Sequence, residues 1–163
     1  MKIGIVMGSD SDLAVMKKAA AVLDEFGLDY EMVIASAHRT PAEVKAFVER
    51  LEAEGAVAFV AGAGAAAHLP GVIASFTTLP VIGVPLNATA LKGMDALLAI
   101  VQMPSGMPVA TMAVDGAKNA ALLAVQIAAT ADAKLRDAYK AYRADMAAKV
   151  IEKNKKLQDE LAK

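Results

Sequence analysis

The 163-residue sequence contains no cysteine, and this absence removes several kinds of chemistry at once. Without a thiol the chain can form no disulfide, no thiolate nucleophile and no cysteine-ligated metal site. The chain has only two histidines, His38 and His68, and their wide separation does not resemble the ligand spacing of a zinc site. We therefore expect a protein that binds no metal.

The sequence also lacks an excess of charge, since 17 basic residues face 18 acidic ones and the net charge is −1. A balanced chain has no general attraction for nucleic acid or for an anionic membrane. Apolar runs such as residues 56–67 are interrupted by glycine and are too short to span a bilayer. The first residues lead directly into a strand pattern, with no signal-peptide layout. We expect a soluble, cytoplasmic protein with no nucleic-acid or membrane partner.

Hydrophobic residues make up 56% of the chain, and they alternate between strand-like and helix-like patterns. Each predicted strand is short, and each is followed by a helical pattern, which favours right-handed crossovers and a parallel sheet. We predict an α/β fold, a three-layer αβα sandwich with a flavodoxin-like five-stranded parallel sheet of order 2-1-3-4-5. Residues 1–163 are expected to form a single domain. The predicted strands are residues 3–7, 30–35, 56–61, 79–84 and 109–113.

The last part of the chain has the pattern of one long helix. It is predicted from Asp132 onward, as a helical extension over about residues 132–163. The stretch from Glu152 is strongly charged, so we expect it to fray or to project from the domain.

Three loops, at residues 8–12, 36–40 and 62–68, follow the first three predicted strands and hold unusual residues. The carboxyl ends of parallel strands meet at one edge of a sheet, and ligands bind at that edge in open α/β folds. We therefore expect the three loops to form one site.

The first loop offers hydroxyl groups and backbone N–H groups where a helix begins. Such a helix start suits a phosphate, and Asp12 could accept hydrogen bonds from ribose hydroxyls. The alternative is that Ser11 or Asp12 only caps the helix, as these residue types routinely do. The loop is neither a Walker A sequence nor a dinucleotide fingerprint.

The second loop combines a histidine and an arginine beside a helix start. Arg39 has a guanidinium group suited to phosphate or carboxylate, and an imidazole such as that of His38 titrates near neutrality. The alternative for His38 is a polar side chain satisfied by local backbone groups. Thr40, Pro41 and Glu43 have the spacing of a capping box at the start of the next helix.

The third loop is built from very small residues. Gly62 and Gly64, followed by three alanines, allow the backbone to approach a ligand closely, although close helix–strand packing needs the same residues. His68 begins a helix and could equally be a capping or an interface residue. Together the three loops indicate acid–base chemistry on a small phosphorylated substrate, which the residues alone do not name.

The loop sequences resemble a known family, the class I N5-carboxyaminoimidazole ribonucleotide mutases, the PurE family of de novo purine synthesis. The resemblance covers about residues 3 to 130 in the right order and spacing. The motifs that carry it are Gly8-Ser9-Asp10-Ser11-Asp12, Ser36-Ala37-His38-Arg39-Thr40-Pro41, Gly62-Ala63-Gly64, Ala66-Ala67-His68-Leu69-Pro70-Gly71, Val101-Gln102-Met103-Pro104 and Asn119-Ala120-Ala121-Leu122-Leu123-Ala124.

The resemblance implies a cofactor-free isomerase that converts N5-carboxyaminoimidazole ribonucleotide to 4-carboxy-5-aminoimidazole ribonucleotide by loss and recapture of CO2. It assigns general acid and base catalysis to His38. It also implies a homo-octamer with sites between subunits. Six further positions match substrate-site positions of the family. The resemblance implies that Ser9, Asp12 and Arg39 hold the ribose and phosphate, and that Ser36 and the backbone around Gly64 line the base and carboxylate. It also implies that His68 is a supporting histidine near the site.

Three positions depart from the usual family pattern. Leu13 replaces a common tryptophan, Ser105 replaces glycine or arginine, and Ala65 replaces the commonest glycine, which adds a methyl group near the expected carboxylate. Two other functions stay open. One is a carboxylase that uses free CO2, which the strings around His38 and His68 disfavour; the other is a nucleotide-binding module without catalysis, which would have no need of a titrating group at His38.

Overall fold

A computed structural model describes residues 1–162, and it contains one five-stranded parallel sheet of order β2-β1-β3-β4-β5. The predicted topology is therefore confirmed. The strands are β1 Lys2–Met7, β2 Asp29–Ile34, β3 Ala56–Gly64, β4 Val81–Leu86 and β5 Ala110–Thr111. The helices are α1 Leu13–Glu25, α2 Pro41–Ala53, α3 Leu69–Ala74, α4 Met94–Val101, α5 Ala117–Ala128 and α6 Ala133–Leu161.

Helices cover both faces of the sheet, so the core consists of two separate apolar clusters. On one face α1 and α5 pack against the strands, with the first turn of α6 joining through Leu135. On the other face α2, α3 and α4 pack around Phe59 and Ile73. Because both faces are covered, the central strands are almost continuously apolar, as β1 and β4 show. This arrangement is the predicted αβα sandwich.

Strand β4 starts and ends later than its sequence pattern predicts, and it contains Pro85. A proline in a central strand normally removes a ladder hydrogen bond. Here the carbonyl of Pro85 accepts a hydrogen bond from the backbone N–H of Asp115. The carbonyl and the nitrogen of Pro85 therefore both face the side of β4 on which β5 lies. Strand β5 pairs only with Ile82 and Gly83 and ends before it reaches Pro85. No strand within residues 1–162 lies opposite the Pro85 nitrogen, so the absence of its N–H costs the sheet no hydrogen bond.

Helix α2 begins where predicted, with Thr40 before it and Pro41 as its first residue, but the predicted capping box does not form. The Thr40 side chain makes no cap hydrogen bond to the helix. Its hydroxyl instead accepts from the backbone N–H of Ser36 at 2.9 Å and lies 3.3 Å from the Ser36 carbonyl. Thr40 thus closes the preceding loop on itself rather than capping the helix.

Helix α6 continues to Leu161, so its charged end projects from the domain. Asp132 caps it by accepting from the N–H of Leu135 at 3.1 Å. Near its start, Tyr142 packs against Phe26 of the α1 end, with ring centroids 5.4 Å apart. Beyond this contact almost all side chains of α6 are exposed. None of the helices within residues 1–162 is both long enough and apolar enough to cross a membrane.

Candidate active site

The three loops that follow β1, β2 and β3 surround one cavity of about 360 Å³ at the carboxyl edge of the sheet. Parallel pairing of β1 with both neighbours ends at Met7, opposite Ile34 and Gly62, so the first two loops start side by side and β3 extends two residues beyond them. Six of the seven predicted site residues line this cavity, namely Ser9, Asp12, Ser36, His38, Arg39 and Gly64. His68 is the seventh, and it lies behind His38 without lining the cavity.

The first loop turns tightly before α1. Ser9 caps a single 3-10 turn, residues 10–12, by accepting from the N–H of Ser11 at 3.4 Å. Neither of the two predicted caps acts: Asp12 precedes α1 without a side-chain cap bond, and the Ser11 hydroxyl donates to Asp12 at 3.3 Å. The Asp12 carboxylate therefore caps no helix, and Asp12 lines the cavity.

Burial raises the pKa of the Asp12 carboxyl above its usual range. Desolvation is the largest cause, and hydrogen bonds from Ser11 and from the backbone of Ser9 and Gly8 offset it in part. A raised carboxyl pKa means that ionisation of Asp12 opposes folding, so this small destabilisation is present above its folded pKa. Asp12 also takes up a proton at a higher pH than an ordinary aspartate, and then it accepts fewer hydrogen bonds.

The second loop is held in shape by its own hydroxyl groups. The Ser36 hydroxyl accepts from the N–H of Arg39 at 3.2 Å, and the Thr40 hydroxyl accepts from Ser36. The guanidinium of Arg39 then reaches across to donate to the carbonyl of Gly8 at 3.2 Å, which links the first two loops. Within residues 1–162 Arg39 makes no ion pair, so most of its donors can face an anion.

The two histidines, thirty positions apart in sequence, contact each other. The His38 Nε2 atom lies 2.8 Å from the His68 Nδ1 atom, and the rings are nearly perpendicular with centroids 4.9 Å apart. One of these nitrogens donates and the other accepts, according to the tautomers. No backbone group within residues 1–162 bonds the His38 ring, and the His68 side chain does not cap α3. The backbone-satisfied role considered for His38 and the capping role considered for His68 are therefore absent from residues 1–162.

The end of β3 approaches the loop that follows β4 very closely. A Cβ atom at Gly64 would lie 2.5 Å from the Cβ of Ala88 and 3.4 Å from the carbonyl of Leu86. Only glycine fits here without displacing that loop. Ala88 also lines the cavity, so the loop after β4 supplies a fourth wall.

Ala88 and Leu69 were not identified as site residues from the sequence. Their apolar side chains carry no chemical signal. The topology did carry a signal for Ala88, because β4 is the neighbour of β3 and the carboxyl end of β4 lies at the same edge of the sheet.

A second, wider cavity of about 790 Å³ lies elsewhere, around the segments that precede β4 and β5. It contains Glu52 and the hydroxyls of Ser75, Thr77 and Thr78, but neither a histidine nor an arginine. The smaller cavity at the carboxyl edge holds the groups that can transfer a proton and bind an anion. No three acidic or histidine side chains within residues 1–162 come together in a way that could hold a metal ion.

The family model described as AIR carboxylase matches residues 2–149, which is most of the chain. The chain belongs to the AIR carboxylase family. The family resemblance carried by the three loops is thereby confirmed. An N5-carboxyaminoimidazole ribonucleotide mutase of Pyrococcus horikoshii is 55% identical over 157 residues, covering 96% of this chain and 89% of that protein.

Other members of the AIR carboxylase family agree in sequence and in fold. The mutase of Thermotoga maritima is 50% identical over 157 residues, which cover 96% of this chain and 92% of that protein. The crystal structure of Treponema denticola PurE superposes with a TM-score of 0.88 at 33% identity, over 96% of this chain and 98% of that one. The likeness therefore extends over the whole sheet and into α6.

One family departure is visible as backbone strain. Ala65, which lies in the cavity wall directly after β3, has a φ of 51°, in the left-handed region that favours glycine. Its carbonyl accepts from the N–H of Ala67 at 2.8 Å, so the turn fixes this conformation. The added methyl group thus stands at a position where the backbone itself favours glycine.

We expect Ala65→Gly to raise the free energy of unfolding by about 0.5 kcal/mol, because about 1–2 kcal/mol of relieved strain exceeds about 0.4–1 kcal/mol of added unfolded-state entropy. Ala66→Gly is the matched control, since Ala66 has no positive φ and should lose about 0.4–1 kcal/mol. Denaturant unfolding at one fixed protein concentration measures both. Equal destabilisation by the two variants would contradict the strain at Ala65.

Proposed function

We propose that this chain is an N5-carboxyaminoimidazole ribonucleotide mutase, and that His38 is its general acid and base. The observation that carries the proposal is the position of His38. It lines the same 360 Å³ cavity as Arg39 and Asp12, and a second histidine contacts its Nε2 atom. Both similar sequences named above are mutases by name, which supports the same reaction here.

The reaction balances with a single proton carrier. In the first half the N5 carbamate takes a proton at nitrogen and its N–C bond breaks, which gives the amine and CO2. In the second half carbon 4 of the imidazole attacks CO2, and the proton on carbon 4 is removed as the ring regains its aromaticity. If His38 gives the first proton and accepts the second, it returns to its starting state. No net proton, redox equivalent or second substrate is consumed.

The contact with His68 supports a choice between the two His38 nitrogens. Because the Nε2 atom lies against His68, we assign proton exchange with the substrate to the Nδ1 atom of His38. A ring held at one nitrogen keeps a fixed orientation and tautomer, as a base in hydrogen-bond contact with an orienting group does. We therefore assign His68 to support His38 and not to carry the substrate proton.

Three polar residues provide the means to bind a ribonucleotide. Arg39 has unpaired guanidinium donors for the phosphate, and Ser9 lies beside it at the start of the 3-10 turn. Asp12 can accept hydrogen bonds from the ribose hydroxyls while it is ionised. Because its pKa is raised, Asp12 protonates and loses these hydrogen bonds at a higher pH than an ordinary aspartate would. Binding should therefore weaken on acidification before an ordinary aspartate would protonate.

Small apolar side chains complete the wall of the cavity. Ser36 and the backbone of Gly64 can contact the base and its carboxylate, while Ala63, Ala66 and Ala88 offer only methyl groups. CO2 carries no charge and donates no hydrogen bond, so a close-fitting wall that excludes water is what retains it. Retention also keeps CO2 beside carbon 4, which replaces a bimolecular encounter.

The two rival functions fit these groups less well. A nucleotide-binding module needs Arg39 and Asp12 but has no use for a histidine pair in the cavity. A carboxylase that takes CO2 from solution is disfavoured by the sequences around His38 and His68. We therefore prefer the mutase, acting as one domain over residues 1–163.

An exposed apolar stripe on and before α4 supports assembly into a homo-oligomer, which we propose is an octamer. Leu91, Met94, Leu98 and Val101 recur at helical spacing and are 64%, 55%, 52% and 49% exposed. Exposed apolar stripes of this kind mark interaction surfaces. The cytoplasm remains our proposal for the location, since purine synthesis is the proposed pathway.

We expect the purified protein to convert N5-carboxyaminoimidazole ribonucleotide to the 4-carboxylated isomer without ATP or added bicarbonate. His38→Asn should lower the rate about 10²–10⁴-fold, the range for loss of a general acid and base. Rapid absorbance assays measure the product, and binding of the substrate's phosphate should survive the substitution. No turnover by the unaltered protein would contradict the mutase, whereas a fully active variant would contradict only the role of His38.

Arg39→Ala should raise KM by about 10- to 100-fold with a smaller change in kcat, since a charge-assisted hydrogen bond contributes about 1.5–3 kcal/mol. Arg143→Ala is the control, because Arg143 is an exposed arginine of α6 far along the chain from the cavity. Initial rates over a range of substrate concentrations separate the two constants. A fall in kcat at unchanged KM would show that Arg39 acts in the transition state instead of in binding.

Light scattering should give the unaltered protein a mass several times that of one chain. Leu98→Lys should produce a smaller species, because it puts a charge on the apolar stripe. Ala46→Lys, at an exposed position of α2, should leave the mass unchanged. A single-chain mass for the unaltered protein would rule out the octamer.

A further inference from the structure

The loop between β4 and α4, residues 87–93, shapes the cavity although it contributes no polar side chain to the lining. Ala88 is its only residue that lines the cavity. It packs so closely on β3 that Gly64 has no space for a Cβ atom, which would lie 2.5 Å from the Ala88 Cβ. This one methyl group therefore forms the cavity wall beside Gly64.

Two carboxylates outside the cavity fix the residues on either side of Ala88. The Thr89 hydroxyl donates to the Asp95 Oδ2 atom at 2.7 Å and accepts from the N–H of Leu91 at 3.1 Å. On the other side, the Asp115 Oδ1 atom accepts from the N–H of Asn87 at 3.1 Å. Neither carboxylate lines the cavity, so their effect on it passes through Ala88.

The arrangement is held at an energetic cost. The Asp95 Oδ1 atom is buried and has no hydrogen-bond partner within residues 1–162. Three non-glycine residues in that part of the chain have positive φ, and they border this wall: Ala65 at 51°, Lys92 at 53° and Asp115 at 56°. An unpaired buried oxygen and strained backbone persist only where the surroundings enforce them, and such positions cluster at functional sites.

We propose that Thr89 and Asp95 are positioning residues that hold Ala88 as the wall retaining CO2 between the two half-reactions. This inference rests on the proposed mutase function. After the N–C bond breaks, CO2 either bonds to carbon 4 or leaves, and if it leaves the released nucleotide is the free amine. The Thr89–Asp95 hydrogen bond biases this choice, because without it the loop and its methyl group can move away from Gly64.

The partition between these two products tests the proposal. For Thr89→Val, we expect the fraction of consumed substrate that appears as the free aminoimidazole ribonucleotide, after subtraction of enzyme-free decay, to rise about fivefold or more. Incorporation of ¹³C from labelled bicarbonate into the product should rise in parallel, since a wall that lets CO2 out also lets it in. Substrate consumption should change less than the partition does.

Two controls separate positioning from general damage. Thr89→Ser keeps the hydroxyl and should restore the original partition. Thr130→Val removes a hydroxyl that bonds the Ile127 carbonyl at 2.7 Å, at the end of α5, and should change neither the partition nor the labelling. A Thr89→Val enzyme that is slower but releases no additional free amine and incorporates no additional label would overturn the proposal.

Asp95→Leu provides an independent test if Thr89→Val does not fold, since it removes the acceptor and the unpaired oxygen together. It should produce the same release of amine. The double variant should release no more than the single variants do, because both remove one interaction. Additive effects would show that Thr89 and Asp95 act separately and would overturn the pairing. Failure of the unaltered protein to turn over would contradict the proposed function, which is a distinct outcome.

Discussion

The parallel pairing of β1 with both of its neighbours is the constraint on which the site depends. Met7, the last residue of β1, lies opposite Ile34, the last residue of β2, and opposite Gly62, two residues before the end of β3, so the three chain segments leave the sheet close together. A shift of one residue in either register would turn the side chains of that strand to the opposite face. The covered faces make such a shift costly, because both clusters of the core would have to expose apolar residues. The stability of the core therefore fixes the geometry of the cavity.

Alternation of apolar strands and helices was enough to predict the topology and the edge at which the loops meet. It also brought together the loops that hold six of the predicted site residues, which line one cavity, since Ser9 and Arg39 belong to loops whose starting points the topology determines. Local hydrogen bonding was harder to foresee. Thr40 has the sequence of a helix cap but bonds Ser36, because a hydroxyl can satisfy either a helix end or a preceding loop at similar energy. The sequence does not decide between these two partners.

Contacts between distant residues mark the limit of the sequence argument. His38 and His68 are separated by a helix and a strand, and nothing in their local patterns predicts a 2.8 Å contact. Pro85 also shows this limit. Its sequence position argues against a strand, and the strand is possible only because β5 ends before it reaches Pro85. Ala88 carries no polar group at all and becomes important through its distance from Gly64. In each case the deciding quantity is a tertiary distance.

The location of the strained residues explains why the fold tolerates backbone strain at one edge of the sheet. Ala65, Lys92 and Asp115 all lie in connections outside the sheet, so their strain does not disturb the two apolar clusters. The proposed reaction asks one cavity for two things: cationic and acidic groups to bind a ribonucleotide, and small apolar walls without water to retain CO2. These demands conflict within a single short loop, and here separate loops meet them. The loops after β1 and β2 provide the polar groups, and those after β3 and β4 provide the methyl groups. The division is possible because four consecutive strands of the fold end at the same edge.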